Sequence, residues 1–423
     1  MSNPLSGGFL HIIIRVVSVV TVHFFHKIFF TLLLLCGSLA VRAQHVSSDY
    51  PDSDTTVWFV NVYPGSVFYE LEGHSAIRIK TGEFDIAVNY GMFNFDDPNF
   101  LYRFVKGETD YMVGAYPWSS FENEYRGAGR RIVAHRLNMT GEQKSKLIDL
   151  IVENLRPENR VYRYNYVLDN CATRPLRMVE LAIGDTLLVS NPVHIPVKKS
   201  FRDYMRYYHE NYSWYQFGID LALGKGIDRE ITAREMTFAP VTLDDQIGEI
   251  TIGLNSQNNL VSESEVWNDV SPSNMVEPPT PFLLSPCFIF WLIACLCGIY
   301  GFFKVYRYRR YPKIVATVTY GVYGLAGLLI AFLVFISVHE STSPNINILW
   351  LNPLCLIPAI TLWIRRAKRF NCWYFLFNFV MLLALYVLWI AGYQSPNPAF
   401  LPMTLIDMEL TVLYLYLNSK NSE

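Results

Sequence analysis

Cysteine is nearly missing from the polar part of this chain. Of seven cysteines in 423 residues, Cys36, Cys287, Cys295, Cys297, Cys355 and Cys372 lie in apolar segments, and Cys171 stands alone within residues 44–280. A lone thiol rules out a disulfide framework there. No cysteine or histidine falls at zinc-like spacing, so no metal site is expected. The chain also lacks HExxH, the GxxxxGK[ST] phosphate loop and GxSxG, which withdraws the motif-bearing metalloprotease, P-loop and serine-hydrolase readings. Excess charge is absent too. A formal net charge of −2 gives no basis for binding nucleic acid, and no cofactor is implied.

What the chain has in abundance is apolar residues, 51% of the total with 15% aromatic, and they are unevenly placed. Residues 44–270 alternate polar and apolar like an ordinary globular domain. Residues 281–423 are membrane-like, and 271–280 form a Pro- and Ser-rich linker. At the other end Lys27 precedes an apolar run, and Val41 and Ala43 satisfy a small-residue cleavage rule before Gln44, so 1–43 is expected to be a signal peptide or N-terminal anchor. Five spans are expected, at 281–303, 314–338, 348–364, 373–392 and 400–417. Lys and Arg crowd the loops after the first and third spans and are absent from 339–347 and 393–399. By the positive-inside rule the domain before the first span is then outside the cytoplasm and the C-terminus inside.

Within the outer domain, residues 56–63, 74–80 and 84–90 read as strands joined by turns, and 139–154 as a helix capped by Thr140. A second helix is expected to end near Gly184. Residues 218–228 read as turns and caps, and 241–261 as added strands. The aromatics of 201–217 suit either a core or a belt at the membrane surface. Together these give an α+β domain with an antiparallel sheet, followed by an all-α domain of five transmembrane helices.

The chemistry centres on residues 164–177, YNYVLDNCATRPLR. Cys171 follows Asp169 and Asn170 and leads into the second helix. Backbone N–H groups at a helix start favour a thiolate, so a lowered thiol pKa is expected. His74 is the candidate base. A base needs an orienting partner, and Asn89 is preferred over Asp85, although either also suits a turn. Asp407 and Glu409 lie within the last span, where ionisable residues suggest function unless they sit near the outer headgroups. His339 and Glu340 open a polar outer loop placed to roof a site.

The motifs GHSAIRI (73–79), VNYGMFNF (88–95), YNYVLDNCATR (164–174) and GIDLALGKGIDREITAREMTFAP (218–240), with five terminal spans, resemble the Lnb-type lipoprotein N-acyltransferases over residues 57 to the end. The order His before Cys and the Asn-Cys pair are similar to circularly permuted papain-like (NlpC-type) folds. The resemblance implies Cys171 as nucleophile and His74 as base, to which the reading of the residues adds Asn89 as orienting partner. Tyr90, Asn170 and Arg174 match motif positions and are expected on the substrate side, as is His339 from its place in the outer loop. It also implies a phospholipid acyl donor, a diacylglyceryl-cysteine lipoprotein acceptor, and a place in the inner membrane of a Gram-negative bacterium with the catalytic domain periplasmic. Pro175 departs from the pattern, so regular helix is expected to begin after Thr173. A membrane-anchored cysteine peptidase or amidase acting on wall peptides, and a non-catalytic scaffold, are the rival readings.

Overall fold

A computed structural model describes residues 54–189, 200–253, 258–270 and 278–419. The expected signal segment and most of the linker lie outside the described residues. Nine strands are described: β1 (Thr56–Val62), β2 (His74–Lys80), β3 (Asp85–Met92), β4 (Tyr111–Pro117), β5 (Ile132–Leu137), β6 (Val161–Tyr162), β7 (Leu187–Leu188), β8 (Thr251–Ile252) and β9 (Val261–Asn268). Seven form one antiparallel sheet in the order β6-β4-β3-β2-β1-β5-β9, and β7 pairs with β8 apart from it. The domain is thus α+β with an antiparallel sheet, as expected.

The helices of this domain are α1 (Phe100–Lys106), α2 (Trp118–Gly127), α3 (Gly141–Leu155), α4 (Thr173–Ile183), α5 (Phe201–Tyr208), α6 (Ser213–Ala222), the single turn α7 (Ala233–Met236) and α8 (Pro240–Ile247). Both faces of the sheet are covered, and side chains alternate between them. Phe59, Ile77, Ile79, Val88 and Tyr90 meet Leu147 and Ile151 of α3, Leu176 and Val179 of α4, and Leu243 of α8. Val60, Val62, Ala76 and Ala87 meet Trp118, Phe121 and Tyr125 of α2 on the other face. Each fully buried aliphatic side chain contributes about 1.5–3 kcal/mol, so this double cover makes the centre of the sheet a rigid platform. Thr140 caps α3 in a reciprocal pairing with Gln143, and Gly184 ends α4 at φ +74°.

Two local expectations are corrected. Residues 241–247 are helix, because Pro240 opens α8 at its first turn and the apolar residues follow a helical rather than an alternating spacing, whereas Thr251–Ile252 and Val261 are strand as expected. Residues 218–228 are not all turns: 218–222 complete α6. Asp220 and Asp228 there clasp the fully buried Arg202 of α5 at 2.8 Å each. The aromatics of 201–217 divide between both earlier readings. Phe201 and Tyr204 are core, whereas Phe217 packs on Phe290 and Phe400 of the membrane helices.

Among the described residues four helices are long and apolar enough to cross a membrane: α9 (Pro286–Tyr308), α10 (Lys313–Phe335), α12 (Lys368–Ile390) and α13 (Phe400–Ser419). The expected third span is a broken crossing. It consists of 3₁₀ turns at Ile346–Leu349 and Pro353–Cys355, then α11 (Leu356–Thr361). Thr342 bonds Leu333 near one end of α10 and Trp363 bonds Thr317 near the other, so the broken segment still runs the length of its neighbour. Pro353 and Pro358 interrupt its ladder. Gly327 of α10 permits the close approach, since a Cβ there would lie 2.4 Å from the Asn352 backbone. Asp407 is fully buried within the helix bundle, where Oδ1 accepts from Tyr320 (2.8 Å) and Asn378 (2.7 Å). Glu409 lies against Gly298 and Gly301 of α9.

Candidate active site

His74 is the first residue of β2, and its side chain leaves the sheet on the α2 face, stacking on Tyr125 at 6.1 Å between ring centres. Nε2 bonds Asn89 Oδ1 at 2.7 Å, and the Asn89 amide nitrogen donates to the Tyr116 hydroxyl at 3.0 Å. With the amide oxygen toward the ring, Nε2 carries the proton and the lone pair of the neutral ring is on Nδ1. Asp85, the other candidate partner, is taken by Arg78 in a two-point pairing at 2.7 and 2.6 Å. Burial, with a smaller repulsion from Arg130, pulls the His74 imidazole down to about 4 against the opposing Asn89 bond.

Cys171 stands on the turn entering α4, two residues before the first helical one. Asn170 makes that turn rigid. Its Oδ1 accepts from the N–H groups of Ala172 and Thr173 (2.9 Å each), and its Nδ2 donates to the carbonyls of Tyr166 and Phe238 (2.8 Å each). Arg174 is likewise occupied, in a two-point pair with Asp169 (2.8 and 2.7 Å) and over the Tyr162 ring at 3.6 Å. Regular helix starts at Thr173, which leaves Pro175 comfortably in the first turn.

Three donors face the sulfur: the Tyr164 hydroxyl at 3.9 Å, the backbone N–H of Ser75, and the N–H of Cys171 itself. Ser75 follows His74 in the chain, so the thiol lies at the same end of β2 as the imidazole. Gly91 completes this corner. Carrying the β2–β3 register two residues beyond Ala76↔Asn89 sets Gly91 beside His74. Gly91 lies in a bulge at φ +88°, and a Cβ on it would be 3.2 Å from the Tyr164 ring and 3.6 Å from Cys171 Cβ. Glycine therefore admits both side chains to the sheet end.

The expected low thiol pKa is not found. Burial pushes Cys171 up to about 11, against the hydrogen bonds of Tyr164 and the Ser75 backbone. The helix start cannot overcome this, because Asn170 already accepts the N–H groups at the entrance to α4. The resting pair is a neutral thiol and a neutral imidazole.

The other residues singled out earlier are placed around this corner. Tyr90 is fully buried beneath it, and its hydroxyl has no hydrogen-bond partner among the described residues. The groups of Asn170 and Arg174 are committed to the turn. His339 stands apart, bonding the Phe104 carbonyl at 2.8 Å where α1 meets the loop after α10.

Tyr164 and Tyr111 are site residues that sequence reasoning passed over. They begin a continuous line of rings: Tyr164–Tyr111 (4.4 Å), Tyr111–Phe93 (5.3 Å), Phe93–Phe100 (5.7 Å) and Phe100–Phe104 (5.8 Å). The line ends on α1, whose Leu101 is 73% exposed. Tyr102 of α1 packs on Phe332 of α10 at 6.0 Å, and the Lys106 carbonyl accepts from Val338 N–H at 2.8 Å. The alternation of aromatic and polar residues in 93–111 was a signal for this surface, but nothing in it said that α1 would rest on the membrane helices.

Two family models match the chain. The Lnb N-terminal periplasmic domain matches residues 43–199, and the Lnb transmembrane domain matches residues 278–422. Together they cover most of its length, and the first contains both His74 and Cys171. No curated protein and no solved structure matches the chain.

Proposed function

The chain belongs to the Lnb family, membrane proteins with a periplasmic N-terminal domain, and from that premise we propose that it moves an acyl chain from a phospholipid to the N-terminal amine of a diacylglyceryl-cysteine lipoprotein. The observation that carries this reading is the line of rings from the thiol to a helix resting on the membrane bundle. An acyl chain of about 15 methylenes loses roughly 12 kcal/mol on leaving a bilayer, at about 0.8 kcal/mol per CH₂. A thiol acting on such a chain needs an unbroken apolar surface to the membrane, and α1 with Phe93, Phe100 and Tyr111 supplies one. A wall-peptide amidase has no need of it.

In the first half-reaction His74 Nδ1 takes the Cys171 proton as the sulfur attacks the ester carbonyl. A C–S bond forms, the ester C–O bond breaks, and the proton passes to the departing lysophospholipid oxygen. In the second, the lipoprotein amine attacks the thioester. A C–N bond forms, the C–S bond breaks, and the amine proton returns to the sulfur through His74. Asn89 holds the ring in the tautomer that both steps use. The N–H groups of Cys171 and Ser75 and the Tyr164 hydroxyl are the donors available to the oxyanion. The C-terminus lies in the cytoplasm in this reading, and the membrane is the inner one of a Gram-negative cell.

The test is incubation of the purified full chain with phospholipid labelled in its acyl chains. A hydroxylamine-labile acyl group on Cys171, lost in Cys171→Ala, is the expected result. Absence of label together with cleavage of wall peptides would establish the amidase reading instead.

A further inference from the structure

A cavity of about 520 Å³ lies at the end of the helix bundle remote from Cys171, and the proposed acyl transfer makes no use of it. Its wall is built from four separate elements. Arg309 comes from the end of α9, Lys313 from the start of α10, Arg365 and Lys368 from the turn into α12, and Tyr414 from the last turns of α13. None of the residues lining it is acidic. Four cations therefore converge on one concave space with no carboxylate in its wall.

The positive-inside rule accounts for basic residues at this end in general, and Arg366 and Arg369 satisfy it equally well without lining the cavity. It does not account for the gathering of four cations from three separate segments around one concave space.

We propose that this cavity binds the phosphate of an anionic phospholipid headgroup. Guanidinium and ammonium groups suit phosphate oxygens, and the position at the end of four membrane helices is the depth at which headgroups lie. The ligand serves as an anchor or modulator at this second site, so the proposal stands or falls separately from the acyl-transfer reading.

The experiment takes the full chain in a non-ionic detergent and titrates it with dihexanoyl phosphatidylglycerol, dihexanoyl phosphatidylcholine or inorganic phosphate, following the melting temperature. Phosphatidylglycerol is expected to raise it saturably, phosphatidylcholine to leave it unchanged, and free phosphate to act only at far higher concentration. Replacing Arg365→Gln with Lys368→Gln is expected to weaken the phosphatidylglycerol effect about tenfold or more, while Arg366→Gln with Arg369→Gln, an equal loss of charge, leaves it within about twofold. Arg365→Gln alone, at a residue that is not buried, is expected to weaken it severalfold and guards against a double variant that fails to fold. Equal loss in both double variants would reduce the cavity to diffuse charge and overturn the proposal. So would equal action of phosphatidylcholine. Free phosphate matching phosphatidylglycerol would overturn the lipid assignment in favour of a soluble anion.

Discussion

At Cys171 two forces compete, and burial wins. A helix entrance favours negative charge only through N–H groups that are still free. Here Asn170 accepts two of them, and what remains for the sulfur is a distant phenol and two backbone donors. With the thiol pushed up to about 11 and the imidazole down to about 4, proton transfer accompanies attack rather than preceding it. The sign gives a direct expectation. Only about one thiol in ten thousand is ionised at pH 7 for a pKa near 11, so alkylation of Cys171 by iodoacetamide should climb about tenfold per pH unit through pH 8–10. A preformed thiolate–imidazolium pair would instead give a rate already level below neutrality, and a plateau in the alkylation profile would refute the neutral resting state.

Among the elements, α5 and α6 matter most for holding the two parts of the molecule together. Arg202 pairs with Asp220 and Asp228, and the same carboxylates reach the loop between α12 and α13, where Asp220 accepts from Asn397 (2.8 Å) and Asp228 from the N–H of Ser395 (3.3 Å). Replacing Arg202 by methionine keeps much of the volume and removes the fully buried cation between the two carboxylates, leaving the wholly buried Asp220 with Arg206 (3.1 Å) and Asp228 with no cation among the described residues. Loss of one member of such a buried group costs about 3–5 kcal/mol. Arg202→Met should therefore lower the melting temperature by several degrees or leave the chain unfolded, whereas the exposed Arg156→Met should change it little, because its pair with Glu153 is at the surface. Similar melting of the two variants would remove this clasp from the account.

At the scale of the whole molecule, the sheet end bearing Cys171 and His74 is joined to the bundle by α1 and by the loop after α10. Glu340 of that loop accepts from Asn165 at 2.8 Å, on the turn that leads to Cys171. The geometry makes reactivity toward bilayer lipid separable from reactivity of the thiol itself. Phe100→Ser combined with Phe104→Ser breaks the line of rings on α1 without touching the thiol, the imidazole or Asn89. Acylation of Cys171 from phospholipid vesicles should fall about tenfold or more, since each ring gives up apolar surface along the line. Reaction with a water-soluble short-chain ester should stay within about twofold. Equal loss of both would mean that α1 supports the fold and not the delivery of the chain.

Much of this organisation was legible in the order of residues. Alternation in 56–63 and 74–80 marks central strands because the period of two is a property of the extended backbone, and the Thr140 cap and Gly184 stop are equally local. Hydropathy and loop charge divided the chain into a sheet domain and a membrane domain, and the scarcity of cysteine isolated Cys171. Asn89 was readable as a partner for His74 because two residues of one hairpin meet through a fixed register. What only the tertiary structure decided depends on groups distant in the chain. Desolvation of the thiol comes from everything packed around it, so its proton affinity turned out opposite to the local expectation. The close packing of the broken third segment depends on glycines of a different helix, and the burial of Asp407 on hydroxyl and amide partners from two others. The aromatic route from sulfur to bundle exists because packing, which no local pattern encodes, brings α1 onto α10.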